Sequence, residues 1–203
     1  MSNIIKIDSD NPDLSLIDEA CKILSNGDLV IIPTETVYGI ACDPENSHAI
    51  KKLQEMKGRD KNKPISYLAG SIDQVKNVCI NWNNGIDSLC KTYWPGPLTL
   101  VLETKKDWLG FRVSNHNVPI LVCNTYGNFL ALTSANISGK PDSSTAKAAS
   151  ILNANLILDG GLSSKKALPS SVIKIDGNEI EVIREGYIPS NKLIKCFKKG
   201  MNL

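Results

Sequence analysis

The 203-residue chain has few arginines, few histidines and few aromatic residues, and each shortage excludes a class of site. Only three of its 23 basic residues are arginine. Two histidines are too few for a histidine-rich metal centre. Aromatic residues make up 5% of the chain, which argues against a stacking platform for RNA bases. The net charge of +2 does not by itself indicate a nucleic-acid binder.

Several familiar signatures are also absent. The chain has no G-x-x-x-x-G-K-[ST] string, no G-x-G-x-x-G string and no kinase-type loops, so a bound nucleotide would need another architecture. Neither histidine follows a nucleophile elbow, which disfavours a Ser–His–Asp enzyme. The six cysteines form no C-x-x-C pair, as is typical of free thiols in a reducing compartment. Without a signal-peptide pattern or an apolar run of membrane-spanning length, we expect a cytoplasmic protein with no membrane contact.

The hydrophobic pattern predicts one α+β domain over residues 1–203, with a twisted mixed β-sheet and flanking helices. The predicted strands are 4–7, 28–32, 64–69, 98–103, 111–113, 130–133, 156–158, 172–175 and 180–183. The predicted helices are 11–25, 47–56, one beginning at Ser71, 86–93, 118–126, 145–152 and 191–199. Strands and helices mix without a strict βαβ rhythm, which favours one mixed, twisted sheet with helices packed on it.

The three arginines lie in short polar segments that contain or adjoin glycine or serine. They are Arg59 in Lys57-Gly58-Arg59, Arg112 in the segment 111–116, and Arg184 in the segment 182–186. A chain that uses lysine for most of its surface charge is expected to use arginine where a planar fork must meet carboxylate or phosphate. Three surface or ion-paired arginines remain the alternative interpretation.

Positive charge is also concentrated between residues 51 and 63. Six cations lie in these thirteen residues: Lys51, Lys52, Lys57, Arg59, Lys61 and Lys63. Glu55 and Asp60 are the two acidic residues among them. The cluster is either a solvated helix end or an anion site.

Two loops carry hydroxyl groups at the ends of predicted strands. Pro33-Thr34-Glu35-Thr36-Val37-Tyr38-Gly39 follows a buried apolar run, and Ser134-Ala135-Asn136-Ile137-Ser138-Gly139 follows the predicted strand 130–133. Ligands often bind beyond strand ends, and glycine-containing polar loops can offer backbone N–H groups to anions. A plain turn explains either loop equally well when it is considered alone.

Taken together and in order, these segments resemble the family of L-threonylcarbamoyladenylate synthases, the YrdC or Sua5 family. The resemblance also includes Trp94-Pro95-Gly96-Pro97-Leu98-Thr99 and Ile183-Arg184-Glu185-Gly186, and it covers most of the chain. It implies a single domain with a basic concave surface. The implied reaction joins L-threonine, bicarbonate or CO2, and ATP carried with Mg²⁺, to give threonylcarbamoyl-AMP and pyrophosphate. The product would pass to a separate tRNA threonylcarbamoyl-transferase complex.

The resemblance also implies roles for individual residues. The basic and polar catalytic tetrad is Lys57, Arg59, Ser134 and Asn136. ATP would contact Arg59, Lys63, Ser134 and Arg184, while threonine would contact Thr36, Arg112 and Ser170, with Arg112 on its carboxylate. No residue is implied as a resident metal ligand. The chain's end near Leu203 predicts that the C-terminal domain of the longer Sua5 type is absent.

Several positions depart from the family pattern. Lys63 replaces an asparagine, and Leu68 occupies the place of a histidine that contacts threonine in longer members. A proline is replaced by Ser114, a threonine by Ser171 and a second proline by Glu185. The leucine bears most directly on how threonine is held.

Two other functions compete with the synthase. A non-catalytic module for double-stranded RNA or tRNA would use the same basic concavity, supported by the cations between residues 51 and 63. A domain detached from a hydrogenase-maturation protein is disfavoured because acyl-phosphatase and zinc-finger segments are missing.

Overall fold

A computed structural model of the chain describes residues 3–60, 63–163 and 168–202, in which ten strands form one sheet and seven helices flank it. The strands are β1 (Asn3–Lys6), β2 (Val30–Ile32), β3 (Gly39–Cys42), β4 (Ser66–Leu68), β5 (Leu98–Glu103), β6 (Trp108–Arg112), β7 (Leu130–Ser134), β8 (Leu156–Asp159), β9 (Ser171–Asp176) and β10 (Glu179–Arg184). The helices are α1 (Leu14–Ser25), α2 (Ser47–Lys57), α3 (Ile72–Lys76), α4 (Asn84–Tyr93), α5 (Asn117–Tyr126), α6 (Ala146–Ala149) and α7 (Ser190–Met201).

The sheet is mixed, as the sequence predicts. Its strand order is β1-β8-β2-β3-β7-β4-β6-β5-β9-β10. Four neighbouring pairs are parallel, β1 with β8, β2 with β8, β4 with β6 and β5 with β9. The remaining pairs are antiparallel, including the hairpin of β9 and β10. The predicted α+β fold is therefore confirmed.

Helix α2 positions the first part of the candidate site. Asn46 accepts the backbone N–H groups of His48 and Ala49 at its start. Gly58 ends it with a φ of 59°, a left-handed conformation that glycine adopts without a steric penalty. The sequence placed Lys57 in the turn after this helix, which is wrong. Lys57 is the last residue of α2, and its side chain is buried because its ammonium group finds oxygen acceptors inside the protein.

The apolar core divides into three clusters. One lies against α1 and α5, one against α4 and α7, and one against α2 and α6. On β5 and β6 the residues Leu98, Leu100 and Phe111 belong to the cluster beneath α4 and α7. Because successive side chains of a strand point to opposite faces, Thr99 and Arg112 project to the other face of the sheet. The candidate site is built on that other face.

Strand β3 is the element that the sequence analysis missed. Its four residues are fully buried and pair with β2 on one side and β7 on the other. This pairing places the polar segment 33–38 beside the end of β7, since Gly39 is opposite Ser134. Two loops far apart in the chain thus meet at one edge of the candidate site.

Candidate active site

The three arginines of the chain converge on one region. Arg112 ends β6, Arg184 ends β10 and Arg59 directly follows the glycine that ends α2. Partial burial lowers the pKa of Arg184; the charge of Asp142 opposes this shift, while the charges of Arg112 and Arg59 add to it. Arg112 and Arg59 are therefore both within electrostatic reach of Arg184. Like charges held this close favour an anionic ligand between them.

Lys57 connects α2 to the loop after β7. Its ammonium donates to the main-chain oxygens of Ser134 and Asn136, the latter at 2.6 Å, and to Asn136 Oδ1 at 3.2 Å. The backbone N–H of Ser138 donates in return to the Lys57 carbonyl at 2.9 Å. Burial lowers the pKa of Lys57 to about 8, and the charge of Arg59 contributes in the same direction while Asp142 opposes it. Three acceptors match the three N–H bonds of an ammonium group.

The loop itself is held by side-chain hydrogen bonds. Ser134 Oγ donates to Asn136 Oδ1 at 2.6 Å, and Asn136 Nδ2 donates to the Lys140 carbonyl at 2.6 Å. The Ala135 N–H donates to the carbonyl of Tyr38 at 2.7 Å, which joins this loop to the segment before β3. The structure thus brings together Lys57, Ser134 and Asn136, three of the four residues of the predicted tetrad.

Arg59, the fourth member, projects away from that network. Its Nη2 donates to the Pro64 carbonyl at 2.7 Å. Its Nε is buried and has no hydrogen-bond partner in the described part of the chain. Burial lowers the pKa of its guanidinium. Lys63 is exposed on the same connection, and Lys61 of the predicted cation cluster lies outside the described residues.

Arg112 and Thr36 are in direct contact. Arg112 Nη2 donates to Thr36 Oγ1 at 2.8 Å and lies 2.8 Å from Oε1 of Glu35. Oε2 of Glu35 accepts from the Ser114 hydroxyl. Burial by itself would raise the pKa of Glu35, but Arg112 and the Ser114 hydrogen bond outweigh it, and the net shift is downward. The sequence assigned no role to Glu35, although it lies between two threonines of a quoted segment.

Ser170 and Arg184 form the third part of the site. Arg184 donates to the Ser170 carbonyl from Nε at 3.0 Å and from Nη2 at 2.8 Å, and Nη2 also donates to Ser170 Oγ at 3.2 Å. The Ser170 hydroxyl is 2.9 Å from the hydroxyl of Thr99, which is also buried. Thr99 is a second residue that the sequence analysis missed. The alternation of side chains along β5 could have indicated Thr99, because it places the Thr99 hydroxyl on the face opposite the leucines.

Two of the departures from the family pattern, Leu68 and Ser171, have structural roles, and so does His116. Leu68 is buried in the core beside α1 and α5, so its side chain packs with other apolar groups. Ser171 Oγ accepts the N–H groups of Gly186 and Ile188. His116 caps α5 by accepting the Val118 N–H, and burial lowers its pKa, although nearby carboxylates oppose that shift. A histidine with a lowered pKa is neutral at pH 7 and adds no cation to the site.

A resident metal site and a membrane span were not expected. Within residues 3–60, 63–163 and 168–202, no three His, Cys, Asp or Glu side chains are grouped as a metal would require. In the same ranges no helix has the length and apolarity needed to span a membrane.

Comparison with protein families gives a match over most of the chain. The family model Sua5_yciO_yrdC, described as "Telomere recombination", matches residues 22–186. A putative threonylcarbamoyl-AMP synthase of Methanocaldococcus jannaschii is 33% identical over 186 residues, which are 86% of this chain and 87% of the relative. The threonylcarbamoyl-AMP synthase of Bacillus subtilis is 33% identical over 159 residues, 71% of this chain and 46% of that enzyme.

Solved structures share the fold. The crystal structure of P. abyssi Sua5 complexed with L-threonine has a TM-score of 0.89 and 28% identity, covering 96% of this chain and 61% of that one. E. coli YciO has a TM-score of 0.84 and covers 96% of this chain and 100% of the other; at 20% identity it supports the fold alone. The chain thus spans less than two thirds of the P. abyssi protein and less than half of the B. subtilis enzyme.

Proposed function

Because this chain belongs to the Sua5/YciO/YrdC family, we propose that it synthesises threonylcarbamoyl-AMP from L-threonine, bicarbonate or CO2, and ATP, with release of pyrophosphate. The observation that carries this proposal is that Arg59 and Arg112 both lie within electrostatic reach of Arg184. The reaction brings together a carboxylate, a carbamate and a triphosphate. Fixed cations offset the repulsion between these anions and stabilise the charge that develops during transfer.

Threonine and ATP bind to different residues of the site. Threonine binds to Thr36, Arg112 and Ser170, which the structure holds near the ends of β6 and β9. Arg112 receives the α-carboxylate because a guanidinium fork matches a carboxylate. The hydroxyl groups of Thr36 and Ser170 are buried and polar, as recognition of a small zwitterion requires.

ATP binds to Arg59, Lys63, Ser134 and Arg184. Lys57 and Asn136 act mainly by shaping the loop after β7, since their polar groups are already hydrogen-bonded to it or to each other. Arg184 donates to Ser170, so a nucleotide on Arg184 and a threonine on Ser170 would be neighbours. That adjacency is what an in-line transfer between the two substrates needs.

The chemistry proceeds in two steps on this surface. The amino nitrogen of threonine forms a bond to the carbon of CO2 or bicarbonate, giving a carbamate; with CO2 the nitrogen loses a proton, and with bicarbonate a water molecule leaves. A carbamate oxygen then attacks the α-phosphorus of ATP, and the bond from that phosphorus to the pyrophosphate oxygen breaks. Arg59 and Arg184 stabilise the negative charge on the phosphoryl and leaving-group oxygens.

Magnesium accompanies ATP in this proposal. Mg²⁺ is commonly bound by one or two carboxylates, waters and substrate phosphates. Asp142 is within electrostatic reach of Lys57 and Arg184 and would supply one carboxylate to the ion. The ion would neutralise phosphate charge when bound.

The product is a mixed anhydride and must be used before water destroys it. We propose that it passes to a tRNA threonylcarbamoyl-transferase complex, and that the reaction occurs within one domain, since every assigned residue lies between Thr36 and Arg184. The exposed lysines near α2 would provide any direct contact with tRNA. We propose the cytoplasm as its location because tRNA is modified there.

The competing RNA-binding module is less well supported. Arg112 is 8% exposed and forms a buried ion pair, whereas an electrostatic RNA surface needs cations that reach phosphates.

The test of the proposed synthase is incubation of the purified protein with ATP, Mg²⁺, threonine and bicarbonate, followed by assay of pyrophosphate and mass spectrometry of the adenylate. Pyrophosphate should depend on both threonine and bicarbonate. Equal release without threonine, or no release at all, would refute the synthase.

A further inference from the structure

Glu35 and Arg112 form a buried ion pair inside the candidate site. Glu35 Oε1 lies 2.8 Å from Arg112 Nη2, and the two side chains are 16% and 10% exposed. Oε2 of Glu35 accepts from Ser114, whose side chain is fully buried. Oε1 of Glu35 therefore has an ion-pair contact but no hydrogen-bond partner among the described residues, whereas Oε2 accepts a hydrogen bond.

A pair of this kind is a poor source of stability. Removing both charges from water costs about as much as their attraction returns, so buried ion pairs are often replaceable by apolar residues. What such a pair does provide is a fixed geometry. Arg112 Nη2 contacts two consecutive residues, the carboxylate of Glu35 and the hydroxyl of Thr36.

The remaining edge of the guanidinium is left for a ligand. Arg112 Nε is buried and has no hydrogen-bond acceptor among the residues that the structure describes. An unpaired buried donor of a charged group is costly, so it indicates an acceptor that arrives with the ligand. A guanidinium that binds a carboxylate through two N–H groups must already be held in the right orientation when the carboxylate arrives.

We propose that Glu35 is a positioning residue for Arg112, and that Ser114 in turn fixes Glu35. Glu35 holds the Nη2 corner so that the guanidinium plane is ready to receive the α-carboxylate of the amino-acid substrate. This inference rests on the proposed function, because it assumes that Arg112 binds that carboxylate. It adds two residues that do not contact substrate themselves.

Two other roles for Glu35 make different predictions. As a direct acceptor of the substrate ammonium group, it would distinguish threonine from an analogue without the amino group. As a placeholder that competes with the substrate for Arg112, it would weaken binding, and its removal would tighten binding. The ion pair of Oε1 with Arg112 and the Ser114 hydrogen bond to Oε2 favour positioning. Because Oε1 has no hydrogen-bond partner among the described residues, a direct contact with the ammonium group would be made there, and the test below separates the two roles.

The test uses Glu35→Gln and Ser114→Ala, with Glu45→Gln as a matched control. Glu45 is an exposed glutamate whose carboxylate contacts Lys106 at 3.3 Å. For each protein we would measure KM for threonine, KM for ATP and the thermal midpoint. Calorimetry would give binding of threonine and of 3-hydroxybutanoate, which keeps the carboxylate and hydroxyl of threonine and lacks its amino group.

Positioning predicts that Glu35→Gln weakens threonine and 3-hydroxybutanoate alike, on the order of tenfold to a hundredfold, as expected when a binding group is misplaced. Ser114→Ala should shift both in the same direction by less, and KM for ATP should stay within about twofold of wild type because positioning acts on the threonine side alone. If Glu35→Gln does not fold, Ser114→Ala still tests the inference, because it removes one hydrogen bond and no charge.

Each other outcome overturns the inference. Tighter binding of both ligands would make Glu35 a placeholder, and weaker binding of threonine alone would make it a substrate contact. Unchanged binding in both variants would leave Arg112 independent of Glu35. A wild-type protein that binds no threonine by calorimetry would refute the proposed function and this inference with it.

Discussion

Lys57 donates to two oxygens of one residue, the main-chain carbonyl of Asn136 at 2.6 Å and its side-chain carbonyl at 3.2 Å. Its remaining described acceptor is the carbonyl of Ser134. Lys57 lies at the end of α2 and is 1% exposed, so its ammonium group is inside the protein. Lys57 therefore acts on a ligand through the loop after β7 and not as a free surface cation.

Replacing Lys57 with methionine should destabilise the protein. Methionine has a similar length but removes one donor from each of three oxygens. Asn136 Oδ1 and the Ser134 carbonyl keep a second donor, whereas the buried Asn136 carbonyl loses its one described donor, and a buried acceptor left unpaired is costly. We expect the free energy of unfolding to fall by about 3 kcal/mol. Urea denaturation measures it, with Lys51→Met as the control, since Lys51 is exposed and pairs with Glu55 on the helix surface. Equal midpoints for the two variants would contradict this role.

The lowered pKa of Lys57 predicts an alkaline limit on activity. Burial lowers the pKa to about 8, so Lys57 loses its proton as the pH rises through 8. A neutral amine has two N–H donors for three acceptors, and the loop is then held less firmly. We expect kcat/KM to decline above about pH 8. The pH profile of Lys57→Met should lack this decline.

Stability should not follow the same curve. The pKa of Lys57 is lower in the folded protein than in the unfolded chain, where it has its ordinary value of 10.5. Between the two values the unfolded chain binds a proton that the folded protein does not, so this group's contribution to stability rises with pH in that window. A loss of activity above pH 8 that coincides with unfolding would contradict the assignment. Urea midpoints at each pH separate the two cases.

Arg59→Ala should reduce activity far more than stability. The Arg59 side chain donates one described hydrogen bond, to Pro64, so unfolding should change by about 1 kcal/mol or less. Removing a preorganised cation from developing phosphate charge should cost roughly 2–4 kcal/mol in kcat/KM. Lys63→Ala is the comparison, because Lys63 is exposed and should lose less. Full activity in Arg59→Ala would exclude its contact with ATP.

The sequence predicts much of the fold because its strongest signals are local. The helix at 11–25 corresponds to α1, which begins at Leu14 after the Asp13 cap, and the hairpin at 172–183 corresponds to β9 and β10. Strand β3 was missed for a physical reason. Its four residues form too short a run to stand out, and their strand conformation depends on pairing with β2 and β7.

The candidate site was predictable as segments but not as contacts. The resemblance supplied Arg112 and Thr36, whereas the pairing of Arg112 with Glu35 depends on how β6 meets a loop much earlier in the chain. Lys57 was expected in the catalytic tetrad, and its burial against the loop after β7 arises from tertiary packing. Periodicity reports which face of an element is apolar and carries no information about which loops meet.

Arg112→Lys should raise KM for threonine sharply although charge is kept. Lysine cannot hold Thr36, Glu35 and a substrate carboxylate in one plane, because its ammonium lacks the guanidinium fork. An RNA surface would barely respond, since lysine neutralises a phosphate about as well as arginine does. Threonine dependence of product formation and RNA binding at matched salt are the two measurements. A change in RNA binding alone would favour the RNA-binding module.

Gly110→Ala tests whether the face of the sheet that bears Arg112 is where substrate lies. A methyl group at Gly110 would be 3.4 Å from Thr99 Cγ2 and 3.6 Å from Ser66 Oγ, ordinary contacts that require little adjustment. Alanine is also the better strand residue by roughly 0.5–1 kcal/mol, so the thermal midpoint should hold or rise. The added methyl group occupies space beside Thr99, whose hydroxyl contacts Ser170. We expect KM for threonine to increase in a protein that is at least as stable as wild type. If KM and kcat are both unchanged, this part of the face is not used, and threonine must lie closer to Arg184.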